Sequence, residues 1–341
     1  MTSKEIIKKI IHHDDAPRIG FHFLGENNPS DIQTMISAEF VHPVYSKYEQ
    51  WGMWPELKKQ VPWFTGEVRG TYAGNIFGRL DDTVQGECIK GAVQDGWELL
   101  DTMQWPVINE KLDAELQARN YQASDKYMLT CLPFAVFAPL RDGRHMDNAL
   151  MDIILEPENV CRFLDKTTDL AVEAIRRAAK NGADGAIIYD DMGMQHALFF
   201  SPDHFREIFK PYYKKLADEL HNNGMDFFVH SCGKNGDIIP DFIEAGVDVF
   251  QFDQPELHQS THLAQTYGDK AAFYCPVDIQ KIMPTGDKKI IEEGAKHMVD
   301  AFKATGGSLI VKDYHNWQDL NVKPEWQQWA RDIVIANAKL R

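Results

Sequence analysis

The sequence predicts a closed parallel α/β barrel, and three observations predict it. Short β-type runs recur along the last two-thirds of the chain, at Tyr127 to Cys131, Ala186 to Tyr189, Asp226 to His230, Val247 to Phe252, Ala272 to Tyr274 and Leu309 to Val311. A loop or an amphipathic helical segment separates each run from the next, the pattern of repeated βα units on a parallel sheet. Each run is followed at once by polar residues, which is where a barrel gathers its ligands, at the carboxyl ends of its strands. At least six such strands in 341 residues suit a (β/α)8 barrel (a TIM barrel) better than a smaller sheet. An open doubly wound sheet is the alternative, but its Gly-rich nucleotide fingerprint is absent from the sequence.

The elements follow in order. The opening MTSKEIIKKIIHHDD is a short amphipathic stretch, and His12 and His13 beside Asp14 and Asp15 read as a solvated helix end. The apolar run Arg18 to Leu24 is the first strand, with His22 placed to face a pocket or the core. Residues from about 30 to 125 are irregular and rich in Trp and Gly (Trp51, Trp54, Trp63, Gly66, Gly70), a decorated excursion from the barrel. Later, Ser201-Pro202-Asp203 offers an N-cap with proline at the first helical position, and Asn223-Gly224 a stop. Trp317, Trp326 and Trp329 are expected to close the barrel by aromatic burial. The whole chain, 1–341, is expected to be a single domain.

Composition excludes some functions. With 36 Lys+Arg against 51 Asp+Glu the formal charge is −15, which disfavours nucleic acid, because counterion release needs a basic surface. Neither a membrane span nor a signal-peptide block is visible, so a cytoplasmic protein is expected. The 5 cysteines make an odd, sparse set that does not read as a disulfide framework, so reduced thiols are expected.

The chemistry gathers at the strand ends. His230-Ser231-Cys232-Gly233 follows one strand and Cys275 ends another. Residues i and i+2 of a strand share a face, so His230 and Cys232 can reach one metal together, with Cys275 as third ligand. Two thiolates and an imidazole favour zinc and leave a fourth position open. The plain alternative is a hydrogen-bonded pocket histidine with two space-filling cysteines. Asp190 and Asp191 are candidate catalytic carboxylates or metal ligands; neighbours on extended backbone face opposite ways, so one of them looks into the pocket, and Asp191 is favoured. His22, Asp253, Lys312 and Tyr314 are the candidate substrate-binding residues.

Tyr189-Asp190-Asp191-Met192-Gly193, Ser201-Pro202 opening a helix to Pro211, His230-Ser231-Cys232-Gly233, Ile238 to Asp241, Gly246-Val247-Asp248 and Pro276 to Gln280 occur in the order seen in the uroporphyrinogen decarboxylase superfamily, which the chain resembles over most of residues 180 to 332. The resemblance implies a TIM barrel of that type with an elaborated N-terminal region. The decarboxylase itself resembles a deep cleft lined by N-terminal arginines, whereas Pro17-Arg18-Ile19-Gly20-Phe21-His22 stands here; one arginine is poor provision for a substrate with many carboxylates. The resemblance is closer to the corrinoid methyltransferase branch, whose His-x-Cys and distant Cys bind zinc. In that branch the third ligand looks to come from the last strand, where this chain has Tyr314 and His315, so His315 is the alternative to Cys275.

What the resemblance implies is a zinc-dependent methyltransferase, of the O-demethylase type, exchanging a methyl group between a small methylated substrate and a corrinoid (cobalamin) held by a partner protein. Homodimers also occur among such barrels. Two other readings stand beside it: a metal-free decarboxylase or lyase using Asp191, and a non-catalytic ligand-binding barrel. Against the last is the density of ionisable and thiol groups at the strand ends, which is costly to desolvate without a use.

Overall fold

The computed structural model describes residues 1–119, 121–318 and 320–340. Eight strands form its central sheet: β1 (Gly20–His22), β2 (Ile32–Met35), β3 (Tyr127–Cys131), β4 (Gly185–Tyr189), β5 (Asp226–His230), β6 (Val249–Gln251), β7 (Ala272–Cys275) and β8 (Leu309–Lys312). They are neighbours in chain order, with β1 also paired to β8, and all seven ladders are parallel. The remaining seam, between β1 and β2, is closed by Asp31. Its backbone N–H donates to Phe21 O at 2.7 Å, its carboxylate accepts from the Phe21 N–H at 2.9 Å, and it takes a two-pronged Arg18 contact at 2.7 Å for each nitrogen. Arg18, the one arginine of the N-terminal strand, is therefore committed to the seam.

Strand periodicity sorts the side chains into two layers. Tyr127, Leu129, Ile187, Phe228, Val249, Ala272, Tyr274 and Ile310 face inward and pack on one another, whereas Ala186, Phe227, Val229, Phe250, Phe273, Leu309 and Val311 face the helices. The helices that follow the excursion are α2 (Phe137–Arg144), α3 (Met146–Leu155), α4 (Pro157–Lys180), α5 (Lys210–Asn222), α6 (Ile239–Ala245), α7 (Ser260–Tyr267), α8 (Lys288–Lys303) and α9 (Pro324–Asn337), numbered after the N-terminal α1 (Ser3–Ile11). The expected punctuation is present: the Ser201 side chain accepts from the His204 N–H, and Gly224 at φ +72° turns the chain out of α5. Trp317, Trp326 and Trp329 pack on the outer core. Among the described residues no helix is long and apolar enough to cross a membrane.

The helix α1 seals the bottom of the barrel. Its isoleucines Ile6, Ile7, Ile10 and Ile11 join the inward-facing cluster, each burial contributing about 2 kcal/mol. On its polar side Lys4 pairs with Asp184 at 3.0 Å and Lys8 with Asp226 at 2.8 Å. His12 is not merely a solvated helix end: its Nε2 lies 2.9 Å from Asp226 Oδ1.

The excursion between β2 and β3 has its own small core. Three antiparallel strands, Glu67–Gly70, Ile76–Arg79 and Glu87–Lys90, contribute Val68, Ile76 and Ile89, which pack with Tyr48, Leu57 and Val61 away from the barrel clusters.

Candidate metal centre

The top of the barrel is organised by the turns leaving β4 and β5. Gly233 has φ +81°, and a Cβ there would stand 2.2 Å from the Gly193 carbonyl oxygen, so the two turns approach as closely as they do only because neither glycine carries a side chain. Lys234 N–H donates to Met194 O at 2.8 Å, Met192 N–H to Ser231 Oγ at 3.2 Å and Cys232 N–H to Asp191 Oδ1 at 2.7 Å. His258 holds the same loop from the side, its Nε2–H donating to Gly233 O at 3.2 Å. Burial pushes the His258 imidazole down to about 4, which keeps it neutral.

This framework brings Asp191, His230 and Cys232 together. One ligand atom from each lies within 4.8 Å of the others. His230 Nε2 stands 3.2 Å from Asp191 Oδ1 and 3.3 Å from Cys232 Sγ. The three are electrostatically bound to one another. Burial opposes charge on His230, but its contacts to Asp191 and Cys232 and the nearby Asp253 carboxylate raise it to about 10. Burial likewise opposes charge on Asp191, and His230 together with the Cys232 N–H holds it down at about 2. The Cys232 thiol is raised by burial, with His230 pulling the other way. Imidazole, thiolate and carboxylate are all zinc donors, and three of them leave one position of a tetrahedral shell open, so these residues fit such a metal.

Below the triad the barrel interior continues as a buried polar floor. Gln251 on β6 is fully buried, and Asp253, His22 and Lys312 are 8%, 6% and 6% exposed. Lys312 Nζ is 3.3 Å from Asp253 Oδ1 and lies over the Tyr274 ring at 5.5 Å. His22 pairs in register with Lys312 across the β1/β8 ladder and bonds the Tyr274 hydroxyl through Nδ1. Burial, then the charges of His315 and Lys312, lower His22 to about 3, so it is neutral. Three of the four expected substrate-binding residues, His22, Asp253 and Lys312, thus share one chamber with the triad. Tyr314 lines an apolar cleft between the top of β8 and α9 with Trp317, Val322 and Val334.

Two expected metal ligands are not brought to the triad. Cys275 is 1% exposed and packs in the outer core, because the strand alternation that turns Ala272 and Tyr274 inward turns Phe273 and Cys275 toward the helices. Burial pushes its thiol up to about 12. His315 is exposed, its ring edge-on to His22 at 6.1 Å. The third corner is filled by Asp191. Its neighbour Asp190 is excluded from pocket chemistry by the same alternation. Asp190 is fully buried on the outer side and accepts from the N–H groups of Val136, Phe137 and Ala138 at 3.0, 2.9 and 2.6 Å and from the Tyr213 hydroxyl. It caps the start of α2.

Three residues of the chamber were not singled out from sequence: Gln251, Tyr274 and Tyr189. Each carries a parity signal, since Gln251 stands two residues before Asp253, Tyr274 two before Pro276 and Tyr189 two before Asp191. Tyr189 is 51% exposed, with its ring 5.0 Å from that of His230.

Comparison with known proteins places this architecture. The model of the family described as uroporphyrinogen decarboxylase (URO-D) matches residues 129–312, more than half of the chain. A methylated-thiol–coenzyme M methyltransferase of Methanosarcina mazei is 25% identical over 131 residues, 38% of this chain. That match spans only 34% of the relative's own length. A solved structure of a methyltransferase from Methanosarcina mazei superposes with a TM-score of 0.66 at 13% identity, covering 99% of this chain and 98% of the other, which shows a shared fold.

Proposed function

The chain belongs to the uroporphyrinogen decarboxylase family, and from that membership we propose that it is a zinc-dependent methyltransferase. It moves a methyl group between a small methylated substrate, of the O-methyl ether class, and a corrinoid carried by a separate protein that docks at the barrel mouth. The observation that carries this reading is the Asp191, His230 and Cys232 triad, whose mixed donors stand within 4.8 Å of one another at the carboxyl ends of β4 and β5. The methyltransferase names of the Methanosarcina relatives support it.

His230, Cys232 and Asp191 would hold the metal. Zinc bound there supplies Lewis acidity toward the substrate heteroatom from which the methyl group departs. The chain's own residues do the rest. The buried chamber floor excludes water from the reacting end of the substrate, which strengthens every electrostatic contact made there. The Tyr274 hydroxyl, kept protonated by burial, donates to His22 Nδ1. Neutral His22 then carries its proton on Nε2, a fixed donor for a polar acceptor on the substrate. The exposed ring of Tyr189 forms a wall beside His230. Because Arg18 is bound to Asp31 and Lys312 to Asp253, the arginine-lined provision for a polycarboxylate is not supported.

The test is metal analysis paired with a methyl-transfer assay against methylated donors and a corrinoid acceptor. The proposal expects about one zinc per chain, and Cys232→Ser to remove both the zinc and the transfer. Activity that survives chelation and Cys232→Ser but is lost in Asp191→Asn would replace it with a metal-free lyase. Tight association with a corrinoid protein and no turnover of any methylated donor would leave a binding barrel.

A further inference from the structure

Beneath the triad a row of buried side chains leads from His230 to Lys312. His230 Nδ1 bonds Gln251 Oε1. Gln251 Nε2 donates to Asp253 Oδ1 at 2.7 Å, and Lys312 Nζ donates to the same oxygen at 3.3 Å. Gln251 is fully buried, and none of its partners is more than 8% exposed. Water therefore offers these groups no substitute partners.

The direction of every bond in the row follows from what each group can be. Lys312 has only donors and an ionised Asp253 only acceptors, so Asp253 must accept from both neighbours. An amide has one donor end and one acceptor end. With its NH2 turned to Asp253, the carbonyl oxygen of Gln251 must face His230. A carbonyl only accepts, so His230 must carry a proton on Nδ1. That leaves Nε2, the atom beside Asp191 and Cys232, as the lone-pair nitrogen of the neutral ring. A carboxylate in the place of Gln251 would fix the same tautomer, but it would add a negative charge beside the metal and raise the basicity of the imidazole. A neutral amide fixes the tautomer without that charge.

We propose that Gln251 is the positioning residue for His230, and that the row from Lys312 through Asp253 and Gln251 commits His230 Nε2 to the metal. The proposal rests on the zinc assignment above and not on methyl transfer, so the two can fail separately.

The experiment uses the full-length protein and two readouts that need no turnover. Zinc affinity is measured by competition with a chromophoric chelator, and the His230 tautomer by nitrogen-15 chemical shifts of the histidine rings in the zinc-loaded protein. In the wild type, Nδ1 is expected to be the protonated nitrogen; metal-bound Nδ1 would overturn the proposal. Gln251→Leu, similar in size but without hydrogen bonds, is expected to weaken zinc binding by about 10- to 100-fold. The double variant Gln251→Glu/Asp253→Asn moves the acid one position along the row and keeps its donor-to-acceptor order. It is expected to recover most of that affinity, which a purely packing role for residue 251 would not predict. Wild-type affinity in Gln251→Leu, or no recovery in the double variant, would overturn the proposal. If Gln251→Leu fails to fold, the wild-type tautomer and the double variant still decide the matter. Tight zinc and the expected tautomer in a protein that transfers no methyl group would sink the methyltransferase reading and leave this one standing.

Discussion

Strand β5 carries an ionisable side chain into the barrel at each end, and the two have opposite fates. At the bottom, Asp226 is surrounded by partners supplied to satisfy it: Lys8 at 2.8 Å, His12 at 2.9 Å and the Tyr127 hydroxyl at 2.6 Å. Two of these come from α1, whose isoleucines close the barrel there. At the top, His230 meets Asp191 and Cys232, and the side chain of Asp191 remains 41% exposed. One strand thus ends in a charge whose contacts are internal and structural and in a donor group turned toward an opening. The difference teaches that burial and charge alone do not mark a functional site; the mark is a convergence of donor atoms with one side left open.

The comparison breaks most readily at its top end. Cys232→Ser is expected to lower methyl transfer by more than about 100-fold while leaving the unfolding midpoint of the metal-free protein nearly unchanged. At the bottom end Asp226→Ala should do the reverse. Removing the acid strands Lys8 and the buried Tyr127 hydroxyl, and a loss of about 3 kcal/mol in urea unfolding is expected, with zinc stoichiometry intact. A loss of zinc in that variant would show that the two ends are coupled.

Cys275→Ala is a finer discriminator. Trimming a well-packed thiol from the outer core should cost about 1 kcal/mol and leave the zinc content at wild-type level. Zinc lost with Cys275 would return that residue to the metal shell.

The smallest effect is the pH dependence of α1 docking. The hydrogen bond to Asp226 raises His12 above its ordinary 6.5, so its stabilising contribution is fully present below 6.5 and fades as pH rises through the higher folded value. Asp226 resists charge by burial but is held below 3.8 by His12 and Lys8, so its contribution is present above 3.8 and fades as pH falls through the lower folded value. His12→Gln is expected to lessen the decline of thermal stability on the alkaline side of 6.5, by a small amount because His12 is half-exposed. An unchanged slope would remove His12 from the seal.

The barrel was largely legible in the sequence because β3 to β8 are apolar runs bounded by polar residues. Strand β2 was not, since Gln33 and Thr34 are exposed in the middle of its four residues and give no apolar signal. The excursion hid its small sheet for a related reason: strands of four residues and a six-residue core leave little periodic pattern to detect. At the site, His230 and Cys232 were readable from the two-residue repeat of a strand. Cys275 misled because β7 is buried on both faces, so composition could not tell inward Tyr274 from outward Cys275. Asp191 was weighed as a base and as a ligand, and nothing short of the Gly193 and Gly233 approach sets it beside His230.

The most direct test of the account is X-ray absorption at the zinc edge of the purified protein. A metal held by Asp191, His230 and Cys232 predicts a single sulfur scatterer at about 2.3 Å with nitrogen and oxygen near about 2.0 Å. Two sulfur scatterers would mean that a second cysteine enters the shell and would contradict the assignment.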